Sequence, residues 1–586
     1  MRLPFREVWV VDFEFTSPAG ERPSPLCMVA HEVLSGRQLQ LWADALAEGP
    51  PFDLGADVLY VAYYAPAEMQ CHLALGWSLP ANVLDLYAEF RVKTNGKTLT
   101  NGRGLLGAMA YFGLDAMAAN EKADMRELAM RGGLYTATER QDLLEYCATD
   151  VLSTERLLSA MWPEVTDTLP LARALLRGRY SKAVAHMQHY GIPIDTATLV
   201  RLRTHWTTLK DALITDVDAD FSVYDGSTFK IAQFAAYLQR QGWAWPTTPT
   251  GRLKLDDDTF KEQVKAYPAL QPLRELRRTL GQLRLDGLAV GADGRNRCML
   301  SMFQSITGRN QPSTTQFIFG LSAWLRALIQ PAPGWGLAYI DWSQQEFGIA
   351  AALSGDVRMQ EAYESGDPYL SFAKQAGAVP AEATKHSHAA QREQFKACVL
   401  AVQYGMGAEG LAQRIGQPVP YAQELLRLHR RTYSRFWAWS DGVRDYALTQ
   451  GRLWTVFGWP LYVGGSPNVR SLCNFPMQAN GAEMLRLACC LGTEAGLRVI
   501  APIHDAVLIE APLEFLERDA DRMQALMREA SLAVLGDTFA LQSDVTYIRA
   551  PERYLTDRGE AMWQRVGNLL RRVEAEVVPA HVMEAE

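Results

Sequence analysis

The sequence has eight cysteines in 586 residues, and none forms a CxxC pair or stands at a Cys/His metal spacing. That excludes a zinc ribbon or finger, and scattered cysteines fit a reducing compartment rather than a disulfide-stapled fold. Cys489-Cys490 lie in an apolar helical run and read as core. No apolar run reaches the ~18–20 residues of a membrane helix. The opening "MRLPFREVWVVDFEF" is a charged start followed by a short strand, not a signal peptide. Internal repeats and low-complexity tracts are missing too. So is a basic balance: the formal net charge is −8 and the isoelectric point about 5.8. Bulk charge therefore does not advertise nucleic-acid binding, although phosphate affinity depends on local patches. Two patches are expected. Arg274, Arg277, Arg278, Arg284, Arg295, Arg297, Arg309 and Arg326 have few acids near them in sequence; Arg427, Arg430, Arg431 and Arg435 form the second. A solvated helix face is the plain alternative for each.

What is present is an ordinary globular composition, 48% hydrophobic, in a chain long enough for roughly three to five domain-sized units. The first 160 residues alternate short strands ("EVWVVDFEFTS", "DVLYVAYYA") with helices such as "RQDLLEYCATDVLSTERLLSAMW". "PEVTDTLP" (163–170) reads as a boundary. Residues 171–300 read as mostly helical, with a hairpin-like insert at "PTTPTGRLKLDDD"; from 301 onward strands mix with long helices.

Chemistry concentrates in a few stretches. In "APIHDAVLIEAP" (501–512) two apolar β-prone runs flank His504-Asp505. Asp505 is either the turn of a hairpin or a metal ligand at its tip, and a ligand needs a second carboxylate. "LAYIDWSQQEFG" supplies one: Leu337 to Ile340 form an apolar strand ending in Asp341. Ser343 and Glu346 stand at capping-box spacing for the helix that follows. In "REQFKACVLAVQYGMG", Arg392, Lys396, Leu400 and Tyr404 recur every four residues and share a helix face. Two cations, an apolar residue and a tyrosine suit a nucleoside triphosphate; a solvated cationic face above a core stripe is the alternative. Arg470, Asn474 and Gln478 repeat that spacing and offer donors and acceptors suited to a duplex minor groove.

Asp12 and Glu14, two apart on a strand, point to one face, and Tyr146 and Asp150, four apart on a helix, share another. An edge strand with a polar face explains the first pair alone. Carboxylates and a tyrosine brought together are a donor set for two divalent ions clamping a phosphodiester.

"VDFEF" and "YCATD" resemble the first and third motifs of the Tyr-containing DEDD 3′–5′ exonucleases, and "VAYYAPAEMQ" the second, with Glu68 where that family has Asp. "DWSQQE", "R…K…YG" and "IHDA" resemble motifs A, B and C of the family A DNA polymerases, and "ITGRNQPS" that family's T-G-R element. "HMQHYGIPID" and "TPTGRLKLD" resemble its helical thumb. The resemblance covers nearly the whole chain, in the family's order.

It implies a mixed α/β fold: a ribonuclease H-like exonuclease domain followed by a right-hand polymerase of palm, fingers and thumb. The expected domains are exonuclease (1–165), thumb region (166–300), first palm part with motif A (301–356), fingers with motif B (357–465) and second palm part with motif C (466–586). The implied activity is template-directed DNA synthesis with 3′–5′ proofreading, of the kind a phage or mobile-element replicase performs. Asp341 and Asp505 would be the catalytic metal ligands, and Asp12, Glu14, Glu68 and Asp150 those of the exonuclease, with Tyr146 catalytic. Lys396 would act in catalysis and, with Arg392, Leu400, Tyr404, Glu346 and Gln344, hold the nucleotide, Glu346 as the steric gate against a ribose 2′-OH. Arg309, Arg470, Asn474, Gln478 and His504 would touch DNA. The implied cofactor is Mg²⁺, two per active site, or Mn²⁺. Implied partners are primer–template DNA, deoxynucleoside triphosphates and a processivity factor for a cytoplasmic monomer that binds no membrane.

The sequence departs from the family where Ala506 replaces the usual Glu of motif C, Leu400 an aromatic, Gln345 an aliphatic, Gly348 an Arg and Tyr369 a His. Ala506 is expected to be peripheral. Two other readings stand beside the polymerase: an exonuclease carrying a catalytically dead, DNA-binding polymerase-like domain, and a single-subunit RNA polymerase. Glu346 and the attached exonuclease argue against the last.

Overall fold

A computed structural model describes residues 4–115, 119–165, 168–281, 285–403, 405–465 and 467–582. Two sheets organise it. The first has five strands: β1 (Glu7–Thr16), β2 (Ser24–Glu32), β3 (Gln38–Trp42), β4 (Val58–Ala62) and β5 (Asn82–Asp85), in the order β3-β2-β1-β4-β5. β1 pairs antiparallel with β2 and parallel with β4, and β4 runs parallel to β5. This is the ribonuclease H-like arrangement. Val8, Val10, Leu59, Val61 and Leu84 join one apolar core; Trp9, Val11, Tyr60 and Val83 join another. β1 is therefore covered on both faces, as its near-continuous apolar run requires. The helices that frame the sheet include α1 (Pro66–Leu75), α2 (Leu86–Thr94) and α3 (Ala137–Val165).

The next helix, α4 (Thr168–Tyr190), is shared by two bodies. It packs against α1 and β5 on one side and against the second sheet on the other. Gly178 meets the Val83 carbonyl so closely that any side chain there would collide with it. Buried polar contacts complete the junction. Arg177 forms a two-pronged pair with Glu89 at 2.6 and 2.7 Å, and Asn95 donates to the carbonyls of Ile306 and Pro460 at 2.7 and 2.6 Å.

The second sheet consists of β6 (Trp335–Trp342), β7 (Val499–Ile503), β8 (Ala506–Pro512) and β9 (Ser543–Arg549), in the order β7-β8-β6-β9. The pairs β6–β8, β6–β9 and β7–β8 are all antiparallel. Three helices carry candidate residues beside this sheet: α5 (Gln345–Ser354), which leaves the end of β6, α6 (Ala389–Gln403) and the long α7 (Val469–Glu494). A last helix, α8 (Asp557–Val582), packs on Ala323–Leu328 and on the helix Trp206–Asp218. Among the described residues no helix is long and apolar enough to cross a membrane.

The expected basic patch does not survive folding. Arg274 pairs with Asp257 at 3.0 Å, Arg295 with Glu510 at 2.7 Å and Arg297 with Asp293 at 2.6 Å. Arg277 lies over the rings of Phe229 and Phe260, and Arg326 donates to the Phe319 carbonyl at 3.2 Å. Arg284 lies outside the described residues. In the second patch Arg427 pairs with Glu424 at 2.6 Å and Arg430 with Asp441 at 3.1 Å. Most of these arginines are held by partners within the fold, some on the same helix or turn and one, Glu510, 215 positions away.

Candidate active sites

In the first body, Asp12 and Glu14 project from one face of β1, and the register with β2 shifts between Glu14 and Phe15. α3 brings Tyr146, Cys147 and Asp150 to the same place, and Tyr146 hydrogen-bonds Asp150. Burial and the nearby Asp150, Glu14 and Asp12 push the Tyr146 hydroxyl well above its ordinary pKa. The Cys147 thiol donates to Asp12, 3.2 Å from its carbonyl and 3.3 Å from Oδ2.

Glu68 arrives by a different route. Asp85 caps α2 and accepts from the backbone N–H groups of Tyr64 and Ala65 at 3.1 and 3.0 Å, and from Ser181 at 3.0 Å. This pins Tyr64 in the left-handed region, φ 72, and starts α1 with Pro66 in its first turn, where Pro costs nothing. Glu68 follows in that turn, 3% exposed. Burial first, then the charges of Asp12, Asp85 and Glu14, push its carboxyl well up, and Oε2 has no hydrogen-bond partner. An unpaired buried carboxylate oxygen facing other carboxylates is costly. A cation removes that cost, so these residues fit a divalent ion. Asp85 is spent on backbone groups.

The second site lies at the end of β6. Asp341 is the register partner of Ala506 on β8 and of Asp544 on β9, so the three side chains share a face. His504-Asp505 make the two-residue link from β7 to β8, with Ile503 paired to Ala506 and His504 left-handed at φ 54. The Trp342 N–H donates to the Asp505 carbonyl at 3.3 Å and fixes the tip beside Asp341. Burial, then Asp505 and Asp544, raise the Asp341 carboxyl to about 6. Asp505 is also raised, by burial, with Arg309 and His504 opposing. Burial and Arg309 lower His504.

Glu346 sits in the first turn of α5. Arg309 Nη2 stands 3.9 Å from its carboxylate and Gln478 hydrogen-bonds it; burial nevertheless raises it. The capping box is not formed. The N-cap is Gln344, in the left-handed region at φ 45 with no side-chain cap, and Ser343 instead donates to Asp544 at 2.5 Å. The turn between β6 and α5 leaves Ser343 facing β9.

A cleft of about 440 Å³ opens here, lined by Arg309, Gln344, Gln345, Glu346, Phe347, Tyr369, Leu400, Gln403, His504 and Asp505. Arg392 and Lys396 lie on the same helix as Leu400, two turns and one turn away, but do not line it. Arg392 pairs with Asp367 at 2.6 Å and lies 5.5 Å from the Tyr369 ring centre; Lys396 stands 3.5 Å from Glu393. Tyr404 lies outside the described residues. Arg470, Asn474 and Gln478 lie on α7, and Gln478 meets Glu346. Sequence reasoning missed Gln403, three residues after Leu400 on its helix face, and Asp544, which only strand register reveals.

Residues 302–544 match the model of DNA polymerase family A. Both Asp341 and Asp505 fall inside that span. The thermostable DNA polymerase I of Thermus thermophilus is 24% identical over 383 residues, 60% of this chain and 44% of that enzyme. The chain thus spans about half the length of that relative. The DNA polymerase of Mycobacterium phage L5 is 25% identical over 462 residues, 75% of this chain and 74% of its own. The fold resembles a Mycobacterium smegmatis structure described as the POL domain of Pol1 in complex with DNA primer-template and dNTP. The TM-score is 0.70 at 20% identity, covering 92% of this chain and 94% of that one.

One departure from the family pattern has a local reason. Gly348 packs against Leu541 and the Tyr363 ring, where an added Cβ would collide with Leu541 and lie 3.0 Å from the ring. The usual Arg has no room. Gln345 is 3% exposed, and a Cβ at Gly481 would lie 2.6 Å from its Oε1. Ala506 is fully buried, directly opposite Asp341.

Proposed function

We propose that the chain is a template-directed DNA polymerase that extends a primer 3′ end with deoxynucleotides, and that its first body is a 3′–5′ exonuclease. The observation that carries the polymerase reading is the meeting of Asp341 and Asp505 at the mouth of a cleft walled by Arg309, Glu346, Tyr369 and Leu400. Asp505 stands close enough to Asp341 to raise its carboxyl, and such neighbouring carboxylates favour a divalent cation between them, so this donor set also fits the implied ion.

Asp341 and Asp505 would hold Mg²⁺, and Asp12, Glu14, Glu68 and Asp150 would hold the ions of the exonuclease. Such ions supply charge neutralisation and alignment of the oxygens in a phosphoryl displacement. The chain's own residues do the rest. Arg309 and Gln478 hold the Glu346 carboxylate against the cleft, where it crowds a 2′-hydroxyl. Leu400 and Tyr369 offer flat or apolar surface to the sugar and base. Arg392 and Lys396 exchange Asp367 and Glu393 for the triphosphate oxygens, one charge-assisted partner for another. Arg470, Asn474 and Gln478 face the duplex along α7. In the first body Tyr146, kept protonated beside Asp150, orients the scissile phosphate by donation.

Primer extension with Mg²⁺, comparing deoxy- and ribonucleotides on a DNA template, tests the reading. Deoxynucleotide extension supports it. Degradation without extension would favour an exonuclease with an inactive polymerase-like domain, and a preference for ribonucleotides an RNA polymerase.

A further inference from the structure

The exonuclease cluster contains a thiol that two-ion phosphodiester chemistry does not require. Asp12, Glu14 and Cys147 each offer a ligand atom, and these atoms all lie within 4.8 Å of one another. We propose that Cys147, Asp12 and Glu14 form a second mode of cation binding at this cluster, selective for a thiophilic divalent ion such as Zn²⁺, which competes with Mg²⁺ there. The inference rests on the exonuclease reading only for its effect on activity; the binding itself does not depend on it.

Three observations carry it. The first is distance. Cys147 Sγ stands 3.3 Å from Asp12 Oδ2, and a sulfur and an oxygen bound to one tetrahedral zinc at ordinary bond lengths are about 3.5 Å apart. The second is the unsatisfied neighbour. Glu68, 3% exposed, has an Oε2 with no hydrogen-bond partner and a charge that interacts with Asp12 and Glu14. It stands beside the Asp12, Glu14 and Cys147 group rather than within it, a buried acceptor whose desolvation cost a cation bound there would relieve. The third is chemistry. Mg²⁺ takes oxygen ligands and ignores sulfur, whereas thiolate selects zinc and related ions.

The step balances without any oxidant. The Cys147 S–H bond now points at Asp12. Binding replaces the proton by the cation: Cys–SH and M²⁺ give Cys–S–M⁺ and one H⁺, which leaves to solvent. The ion so held draws Asp12 and Glu14 out of the arrangement that hard ions need. Zn²⁺ should then suppress primer-end degradation and leave extension alone, because no cysteine is among the described residues that line the cleft at Asp505. Cys27, which also hydrogen-bonds Cys147, stays outside the ligand group.

The test uses the full chain and Co²⁺, which reports sulfur ligation by a near-ultraviolet charge-transfer band. Co²⁺ titrated into wild-type protein without Mg²⁺ or DNA should raise a band equivalent to one thiolate. Cys147→Ser and Cys147→Ala should lose it, and Cys298→Ser and Cys473→Ser should keep it. The Zn²⁺ concentration that half-inhibits primer-end degradation should rise by about tenfold or more in Cys147→Ala. Absence of the band in wild type, or its persistence in both Cys147 variants, overturns the proposal, as does unchanged Zn²⁺ inhibition in Cys147→Ala. If wild type shows the band but no Mg²⁺-dependent degradation, the exonuclease reading fails and the cation site stands.

Discussion

Asp341 and Ala506 face each other across the β6–β8 pair, with Asp544 on the opposite side of Asp341. The position where the resemblance expects the Glu of motif C is thus beside the proposed metal-binding carboxylate, and here it is a fully buried methyl group. If Asp341 and Asp505 suffice, Ala506→Glu changes single-turnover incorporation at saturating Mg²⁺ by no more than about tenfold, near 1.4 kcal/mol of barrier. Weak wild-type activity restored about a thousandfold by Ala506→Glu would mean instead that this site is degenerate.

The two sites should be separable, because their carboxylates belong to different sheets. Asp505→Ala is expected to cost at least about a thousandfold in extension, roughly 4 kcal/mol, and to spare degradation of a mismatched primer end. Asp12→Ala and Asp150→Ala should do the reverse, and Glu68→Ala should reduce degradation. Assays of both activities on each variant decide the matter; degradation by Asp12→Ala at the wild-type rate would remove the first assignment.

Glu346→Ala should lose efficiency with deoxynucleotides and gain relative use of ribonucleotides. Since Gln478 hydrogen-bonds Glu346, Gln478→Ala should shift the same discrimination in the same direction by a smaller factor. Steady-state kcat/KM ratios for the two sugars measure both. An unchanged ratio in Glu346→Ala returns this residue to a merely structural place at the start of α5.

Gly348→Ala should destabilise the fold by about 1–3 kcal/mol, the usual cost of overpacking, because the new Cβ meets Leu541 and Tyr363. Leu541→Ala costs stability on its own by leaving a cavity. Combined with Gly348→Ala it should cost less than the two separate effects added, a coupling that a denaturation double-mutant cycle reads directly.

Stability should fall in mild acid through His429. This side chain is fully enclosed by Phe372, Tyr433 and Phe436, accepts from Trp437 Nε1 at 3.1 Å, and is held by burial at a pKa of about 3. The folded value lies below the ordinary one near 6.5, so the unfolded chain binds the proton first. Stability is fully present above about pH 6.5 and is lost as pH falls toward 3. Between pH 7 and 5 this one group should cost about 2 kcal/mol. His429→Gln should flatten the dependence of Tm on pH over that range; an unaltered slope would place the acid sensitivity elsewhere.

The sequence by itself determined the carriers of chemistry. Asp12 and Glu14 share a face because strand side chains alternate, and Tyr146 and Asp150 share one because helix side chains recur every three to four residues. The spacing of Asp341, Arg392, Lys396 and Asp505 was enough to suggest the family that residues 302–544 then matched. These are local regularities, fixed by backbone period and legible in one dimension. The tertiary structure alone decided which charges find partners. Arg295 looked free in the sequence and is bound to Glu510, 215 positions away. Ser343 had the spacing of a helix cap and instead reaches Asp544. Asp544 had no motif to announce it, and only the β6–β9 register sets it beside Asp341. Pairing across strands and bodies depends on register and packing over long separations. No local period encodes that, and it is why the electrostatics of both sites emerge only on folding.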